Sequence, residues 1–299
     1  MGKAEESHIP DLILGLESKR EALADSVDHT LIKMGQANPE KVVPSLVAAV
    51  EKNTDPLMVN ALRVIEKIGP KAHESLPRLA EFFPKCDPRL RPKLVEVVVR
   101  LDRKGDVALP LLANALKDKQ ARTRLEALMC LNRYPGRLPE MLDPLMDSLF
   151  DAQTRNRRLA LSVIRMMGNK GEPAVPALIR ILTKDSDIAI RMDVLNVLGG
   201  FCPPPQTVME AVGQTLKDPQ TPVKEGALRA LHRMGSCTVQ PVLETLAKAL
   251  ASEEDPSFKK QLQNQINYLQ DQEIKKKLQD PKGAAPKKPT ASAAPASSN

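Results

Sequence analysis

Seven aspartates recur along the chain at a nearly constant interval: Asp55, Asp87, Asp118, Asp151, Asp185, Asp218 and Asp255, with gaps of 32, 31, 33, 34, 33 and 37 residues. A row of carboxylates invites acid–base chemistry or cation binding, which need oxygen anions held at fixed positions. The surroundings point elsewhere. Each Asp ends one apolar segment and precedes the next, and a basic residue follows within about a turn and a half at Arg91, Arg124, Arg157, Arg191 and Lys224. An Asp at a helix start can satisfy free amides, and an Arg one turn further on can pair with an Asp of its own or the adjoining segment. Asp118, Arg124, Asp151, Arg157, Asp185, Arg191, Asp218 and Lys224 are therefore read as a structural ladder.

Other chemistry-bearing residues are scattered. Cys86, Cys130, Cys202 and Cys237 are 44, 72 and 35 residues apart, without CxxC pairing and without a nearby histidine. Buried free thiols are expected, and both metal binding and a disulfide framework are disfavoured. Such thiols suit a reducing compartment. His8, His29, His73 and His232 have no carboxylate or cysteine at ligand spacing and are expected to face solvent or cap helices. No G-x-S-x-G, H-E-x-x-H, phosphate-binding loop or dinucleotide fingerprint occurs. The expectation is a chain with no catalytic residues, no metal and no cofactor.

Charge is more informative by location than by size. The net +7 divides into -3 over residues 1–88, +8 over 89–170, -1 over 171–270 and +3 over 271–299. Beyond the ladder, Arg89, Lys93, Arg122, Arg155 and Arg158 stand near the starts of successive helical segments. If those segments stack in register, the five form a basic stripe suited to phosphate-rich or acidic partners.

The elements that must position these residues follow from an internal repeat. A Pro-x-apolar motif recurs at Pro44, Pro77, Pro110, Pro144 and Pro176 with gaps of 33, 33, 34 and 32, then at Pro241 after 65, two periods with a divergent copy between. Apolar positions align in the same register: Ala61, Leu62 and Ile65 with Ala127, Leu128 and Leu131, with Ala160, Leu161 and Ile164, with Val194, Leu195 and Leu198, and with Ala227, Leu228 and Leu231. Offsets of i, i+1 and i+4 lie on one helical face. Each ~33-residue unit reads as two antiparallel helices. The first ends at a glycine such as Gly35, Gly69, Gly168 or Gly235 in a left-handed conformation, and the second carries its proline in the first turn.

That explains a composition of 26 Pro, five Phe, two Tyr and no Trp in 299 residues. Aliphatic residues and small Ala suffice where short helices approach closely, and prolines mark helix starts. One helix pair cannot bury its apolar face alone, so an all-α solenoid of about seven to eight stacked units is expected over residues 10–270. Phe258, Leu262, Ile266 and Leu269 form one stripe with glutamines and asparagines outside, as a C-terminal cap would. Residues 1–9 are expected to be flexible, and the Lys/Ala/Pro-rich residues 271–299 a basic disordered tail.

The Asp, Val-Arg, Ala-Leu, Gly and Pro-x-Leu pattern, seen in TPVKEGALRALHRMGSCTVQPVLETL and RNRRLALSVIRMMGNKGEPAVPALIRIL, resembles the short bacterial type of HEAT repeat. The resemblance implies an α-solenoid and leaves function open, because it covers scaffolds, adaptors, lyase-like proteins and DNA-repair proteins. The repair members use a pocket tryptophan, which this chain lacks. Repeat three departs from the pattern by extra residues before Gly105 and by Pro92, and repeat six by the prolines after Cys202.

The expected function is a non-enzymatic scaffold or adaptor that binds a protein partner on the solenoid surface, as a cytoplasmic monomer with no membrane segment. The alternative from charge is sequence-nonspecific nucleic-acid or polyanion binding by the stripe and tail, although too few aromatics exist to stack single-stranded bases. The alternative from resemblance is a lyase- or chaperone-like protein acting on a cofactor-bearing partner.

Overall fold

The computed structural model describes residues 8–18 and 21–279, which are helical apart from short turns. A short helix α1 (Ile9–Gly15) precedes seven pairs. These are α2 (Glu21–Ala37) with α3 (Pro39–Glu51), α4 (Leu57–Ile68) with α5 (Leu76–Phe82), α6 (Arg91–Leu101) with α7 (Ala108–Ala115), and α8 (Ala121–Cys130) with α9 (Leu142–Ser148). There follow α10 (Thr154–Met167) with α11 (Val175–Lys184), α12 (Ile188–Leu198) with α13 (Gln206–Thr215), α14 (Thr221–Met234) with α15 (Val239–Ser252), and a single closing helix α16 (Pro256–Gln279). The all-α, α-solenoid class expected from the repeat is the one observed.

The chain divides into two compact units after Val197. In the first, the leading helices α2, α4, α6, α8 and α10 pack side by side in order, each also touching helices of its own or the preceding pair. In the second, α13 packs on α14 and α15, and α15 on α16. The division falls in repeat six, where Cys202 and three prolines replace the usual turn.

The aligned apolar positions form the core. Ala61, Leu62, Ile65, Ala127, Leu128, Leu131, Ala160, Leu161, Ile164, Val194, Leu195, Leu198, Ala227 and Leu231 are all buried, and only Leu228 is half-buried. Burying one such aliphatic side chain contributes roughly 1.5–3 kcal/mol, so the stacked register is strongly favoured over a slipped one.

Three local expectations need correction. Gly69 and Gly168 end their helices with positive φ of 76° and 57°, which favours glycine, but their ψ of -142° and -136° are not those of the left-handed helix expected; Gly35 lies inside α2 and Gly235 has φ -58°. These two lack a side chain for another reason: a Cβ on Gly35 would collide with Ile68, and one on Gly235 would lie 2.6 Å from Leu269 Cδ2. Close helix approach is the constraint there. Pro44 is not in a first turn, because α3 begins earlier with Pro39 at its start and holds Pro44 inside. The closing helix runs to Gln279, past the boundary expected at residue 270. The remainder of the expected tail, 280–299, and residues 1–7 of the expected flexible N-terminus lie outside the described residues.

Repeat three absorbs its extra residues around one carboxylate. Buried Asp102 accepts backbone hydrogen bonds from Lys104 (3.2 Å), Gly105 (2.9 Å), Val107 (2.7 Å) and Ala108 (2.8 Å). Burial pushes its carboxyl up, but the four amides outweigh that and hold it below the usual range. Gly105 takes φ 83° under the ring of Tyr134, whose hydroxyl donates to the Val99 and Asp102 carbonyls at 3.1 and 2.6 Å.

Candidate functional site

Every recurring aspartate except Asp55 sits in the turn before its helix and accepts the N–H two residues ahead. Arg89 donates to Asp87, Gln120 to Asp118 and Gln153 to Asp151, each at 2.8 Å; Asp187 donates to Asp185 and Gln220 to Asp218, each at 2.9 Å. The residues flanking α8, α10 and α14 are Gln120, Gln153 and Gln220, and none makes a side-chain cap. The expected helix-capping role is therefore corrected: the aspartate folds the turn leading into the helix.

In Asp118, Asp151 and Asp185 the second oxygen faces a cation of the preceding repeat. Arg91 Nη1 donates to Asp118 Oδ2 at 2.6 Å, and Arg124 grips Asp151 through Nε at 2.6 Å and Nη2 at 3.0 Å. Arg157 Nε lies 3.4 Å from Asp185 Oδ2, a Coulombic pair without hydrogen-bond geometry. In the second unit Lys224 pairs instead with Glu253 at 2.7 Å and lies over the Phe258 ring at 4.3 Å. The same cations hold their own turns: Arg124 Nη1 donates to the Asp118 carbonyl at 2.8 Å and Arg157 Nη1 to that of Asp151 at 3.0 Å. Arg191 Nε donates to Leu182 O at 2.7 Å. Burial pushes Asp151 up, yet hydrogen bonds from Arg124, Gln153 and Asn156 and the Arg124 charge hold it below the ordinary range. The ladder is a set of clamps between successive repeats, and its carboxylates are consumed by structure.

The basic stripe is only partly assembled. Arg89 is paired with Asp87 (2.7 Å), Lys93 with Glu66 (3.2 Å) and Glu96 (3.0 Å), and Arg158 with Asp193 (2.7 Å). Hydrogen bonds from Arg89 lower Asp87 to about 2, so that pair stays ionised. The Glu66 carboxyl is pushed up by burial but held low overall by Arg100 and Lys93. Arg122 and Arg155 are exposed, and no carboxylate among the described residues lies within ion-pair distance of either. Aligning on the ladder cations puts Arg89, Arg122 and Arg155 at one repeat position, whereas Lys93 and Arg158 align with Glu126 and Leu125. The five do not form one continuous cationic row.

The structure adds residues that sequence reasoning missed. On the outward face of α10, Arg155, Arg158, Leu159, Ser162, Arg165 and Met166 fall at helical spacing, and on α8 Arg122, Leu125 and Met129 occupy matching positions, with Arg133 just beyond the helix end. Met129 and Met166 are each 44% exposed, Leu125 and Leu159 are half-buried, and Arg133 and Arg165 are exposed without a carboxylate partner among the described residues. Because α8 packs directly on α10, the two neighbouring helices both present aliphatic, thioether and guanidinium groups to solvent. The signal was present in the i, i+3, i+4, i+7 spacing, but it needed the helix register to separate it from the core stripe.

The cysteines depart from expectation. Cys202 and Cys237 form a disulfide with Cα atoms 5.7 Å apart, while Cys86 and Cys130 are free and buried. Burial pushes both free thiols up to about 12, so neither is a ready nucleophile. The sequence separation of 35 matches the repeat period, which stacks the two turns. The thiol argument for a reducing compartment therefore loses half of its residues. The bridge borders an open pocket of about 400 Å³, also lined by Phe201, His232, Arg233 and Ser236. His232 Nδ1 is 3.1 Å from Gln265 Oε1 and its ring 5.1 Å from that of Tyr268, a solvent-side role consistent with the sequence reading. No cluster of three metal-ligating side chains occurs among the described residues, and no described helix is long and apolar enough to cross a membrane.

The family model for HEAT repeats matches residues 175–267, in line with the resemblance carried by the repeat pattern. No curated protein matches the chain. Among solved structures, Escherichia coli YibA aligns at 17% identity and TM-score 0.43, covering 80% of this chain and 96% of that one. A mutant form of Kap121p aligns at 15% identity and TM-score 0.48, covering 90% of this chain but only 34% of its own.

Proposed function

We propose that the chain is a non-enzymatic protein-interaction scaffold whose partner docks on the outward face of α8 and α10. One observation carries this reading: Arg122, Arg133, Arg155 and Arg165 have no carboxylate partner among the described residues and stand on, or just past the end of, the helices that expose Met129 and Met166. Other cations of the leading helices are neutralised in place, as Arg63 is by Asp28 and Arg100 by Glu66 and Glu96, although Lys33 and Lys67 have no such partner among the described residues. Methionine adapts its shape to a partner, and guanidiniums attract and orient carboxylates, so the complementary partner is an acidic amphipathic protein segment. The same residues disfavour a purely electrostatic nucleic-acid surface, which has no use for exposed thioethers and half-buried leucines.

The test is site-specific photocrosslinking from Met129 and Met166 in the full chain, with nuclease-treated and untreated samples compared. The expected result is one protein adduct that survives nuclease and weakens at least about tenfold when Arg122, Arg155 and Arg165 are changed to Glu, as lost charge complementarity predicts. An adduct abolished by nuclease, with affinity falling on a log–log salt slope of about -3 for roughly three phosphate contacts, would replace this reading with nucleic-acid binding. Equal crosslinking of the charge-reversed protein would remove the surface altogether.

A further inference from the structure

We propose that the Cys202–Cys237 bridge is a thiol–disulfide exchange site for a small carboxylate-bearing thiol that enters the pocket beside it. Both half-cystines are exposed, although the two other cysteines of the chain are buried among core side chains. A structural disulfide gains from enclosure, whereas an exposed one is accessible to attack along the sulfur–sulfur axis. The adjoining pocket of about 400 Å³ is of the size that holds a small organic ligand. Its wall carries the Arg233 guanidinium, which occupies the space that a side chain at Gly199 would need: a Cβ there would lie 2.8 Å from Arg233 Nη2. That fixed positive charge, whatever else it bonds, favours an anionic thiol over a neutral one.

Each sulfur lies in a loop between a helix C-terminus and the next helix N-terminus, Cys202 between α12 and α13 and Cys237 between α14 and α15, so either can serve as the attacked or the leaving sulfur. Ser236 Oγ is 3.5 Å from Cys237 Sγ and donates to the Arg233 carbonyl at 2.7 Å, bracing that turn. The incoming thiolate attacks one sulfur of the bridge, forming a mixed disulfide as the Cys237–Cys202 bond breaks and the other cysteine leaves as thiolate. A second thiolate attacks the small molecule's sulfur in the mixed disulfide, releasing the remaining protein thiolate and a symmetrical small-molecule disulfide. Two small thiols are oxidised by two electrons, the protein bridge is reduced, and both protein thiolates take protons from water. Reduction unties the segment before α13 from the turn after α14, two places that the chain otherwise separates by 35 residues.

The experiment incubates the native full chain in glutathione redox buffers, quenches with iodoacetamide and maps each cysteine by non-reducing peptide mass spectrometry. The expected result is that Cys202 and Cys237 pass from bridged to alkylated as the reduced fraction rises, while Cys86 and Cys130 stay unmodified. Cys202→Ser should trap glutathione on Cys237, and Cys237→Ser should trap it on Cys202. Arg233→Gln should slow exchange with glutathione roughly tenfold while leaving exchange with neutral 2-mercaptoethanol within about twofold, the pattern of electrostatic capture and not of a loosened fold. A bridge that reacts only after denaturation, two thiols found free in protein purified without reductant, or equal slowing for both reagents would each overturn the proposal.

Discussion

Replacing Asp151 by Ala removes the keystone of the clamp between α8 and α10. The carboxylate accepts Arg124 Nε at 2.6 Å, Arg124 Nη2 at 3.0 Å, the Gln153 amide at 2.8 Å and Asn156 Nδ2 at 3.0 Å, and its side chain is only 2% exposed. Truncating one member of a buried ion pair typically costs about 3–5 kcal/mol, because the other charge is left without compensation. Arg124 keeps the Asp118 and Lys119 carbonyls at 2.8 and 3.1 Å and is 19% exposed, which places the expected loss at the lower end, about 3 kcal/mol. Asp151→Asn keeps an acceptor for Gln153 and should cost about 1–2 kcal/mol. The assay is urea unfolding of the full chain by circular dichroism, with amide exchange read separately in α8 and α10. A stacked array loses stability locally, so protection should fall in these helices first. Because the folded carboxyl is held below its unfolded value of about 3.9, its stabilising contribution is complete above that pH and fades as pH falls through the lower folded value. The difference between wild type and Asp151→Ala should shrink accordingly in acid. A loss under about 1 kcal/mol at neutral pH, or a difference unchanged by acid, would refute the clamp.

Two further substitutions probe the same physics. Thr123 is fully buried with an unpartnered hydroxyl, at the position that Val223 occupies in repeat seven; Thr123→Val should raise stability by about 1 kcal/mol in the same urea assay. Asp102→Ala orphans four backbone amides and should cost about 2–3 kcal/mol, with exchange accelerating first in residues 102–108 and with the penalty again disappearing in acid.

The ladder residues show how far a one-dimensional pattern reaches. Asp118 and Arg124 announced themselves as structural by period, yet their partnership was not legible: the two stand six residues apart in sequence, but each bonds across to the neighbouring repeat, Asp118 to Arg91 and Arg124 to Asp151. The basic stripe failed for a related reason. Arg89, Lys93 and Arg158 are cations in any reading, and only packing reveals that Asp87, Glu66, Glu96 and Asp193 lie against them. The glycines divide likewise, since Gly69 takes a positive φ at a helix end while Gly35 yields to Ile68 of the next pair.

By itself the sequence determined the period, the helix pairs and the buried aliphatic rows, because each of those follows from local helix geometry repeated at a fixed interval. Only the tertiary structure decided which charges remain unpaired, that Met129 and Met166 are exposed on the same helices as Arg122 and Arg155, and that Cys202 meets Cys237. Those properties depend on what a neighbouring repeat places within a few ångströms. Such contacts arise between residues about one period apart, and a periodic pattern constrains their register without fixing which side chains meet.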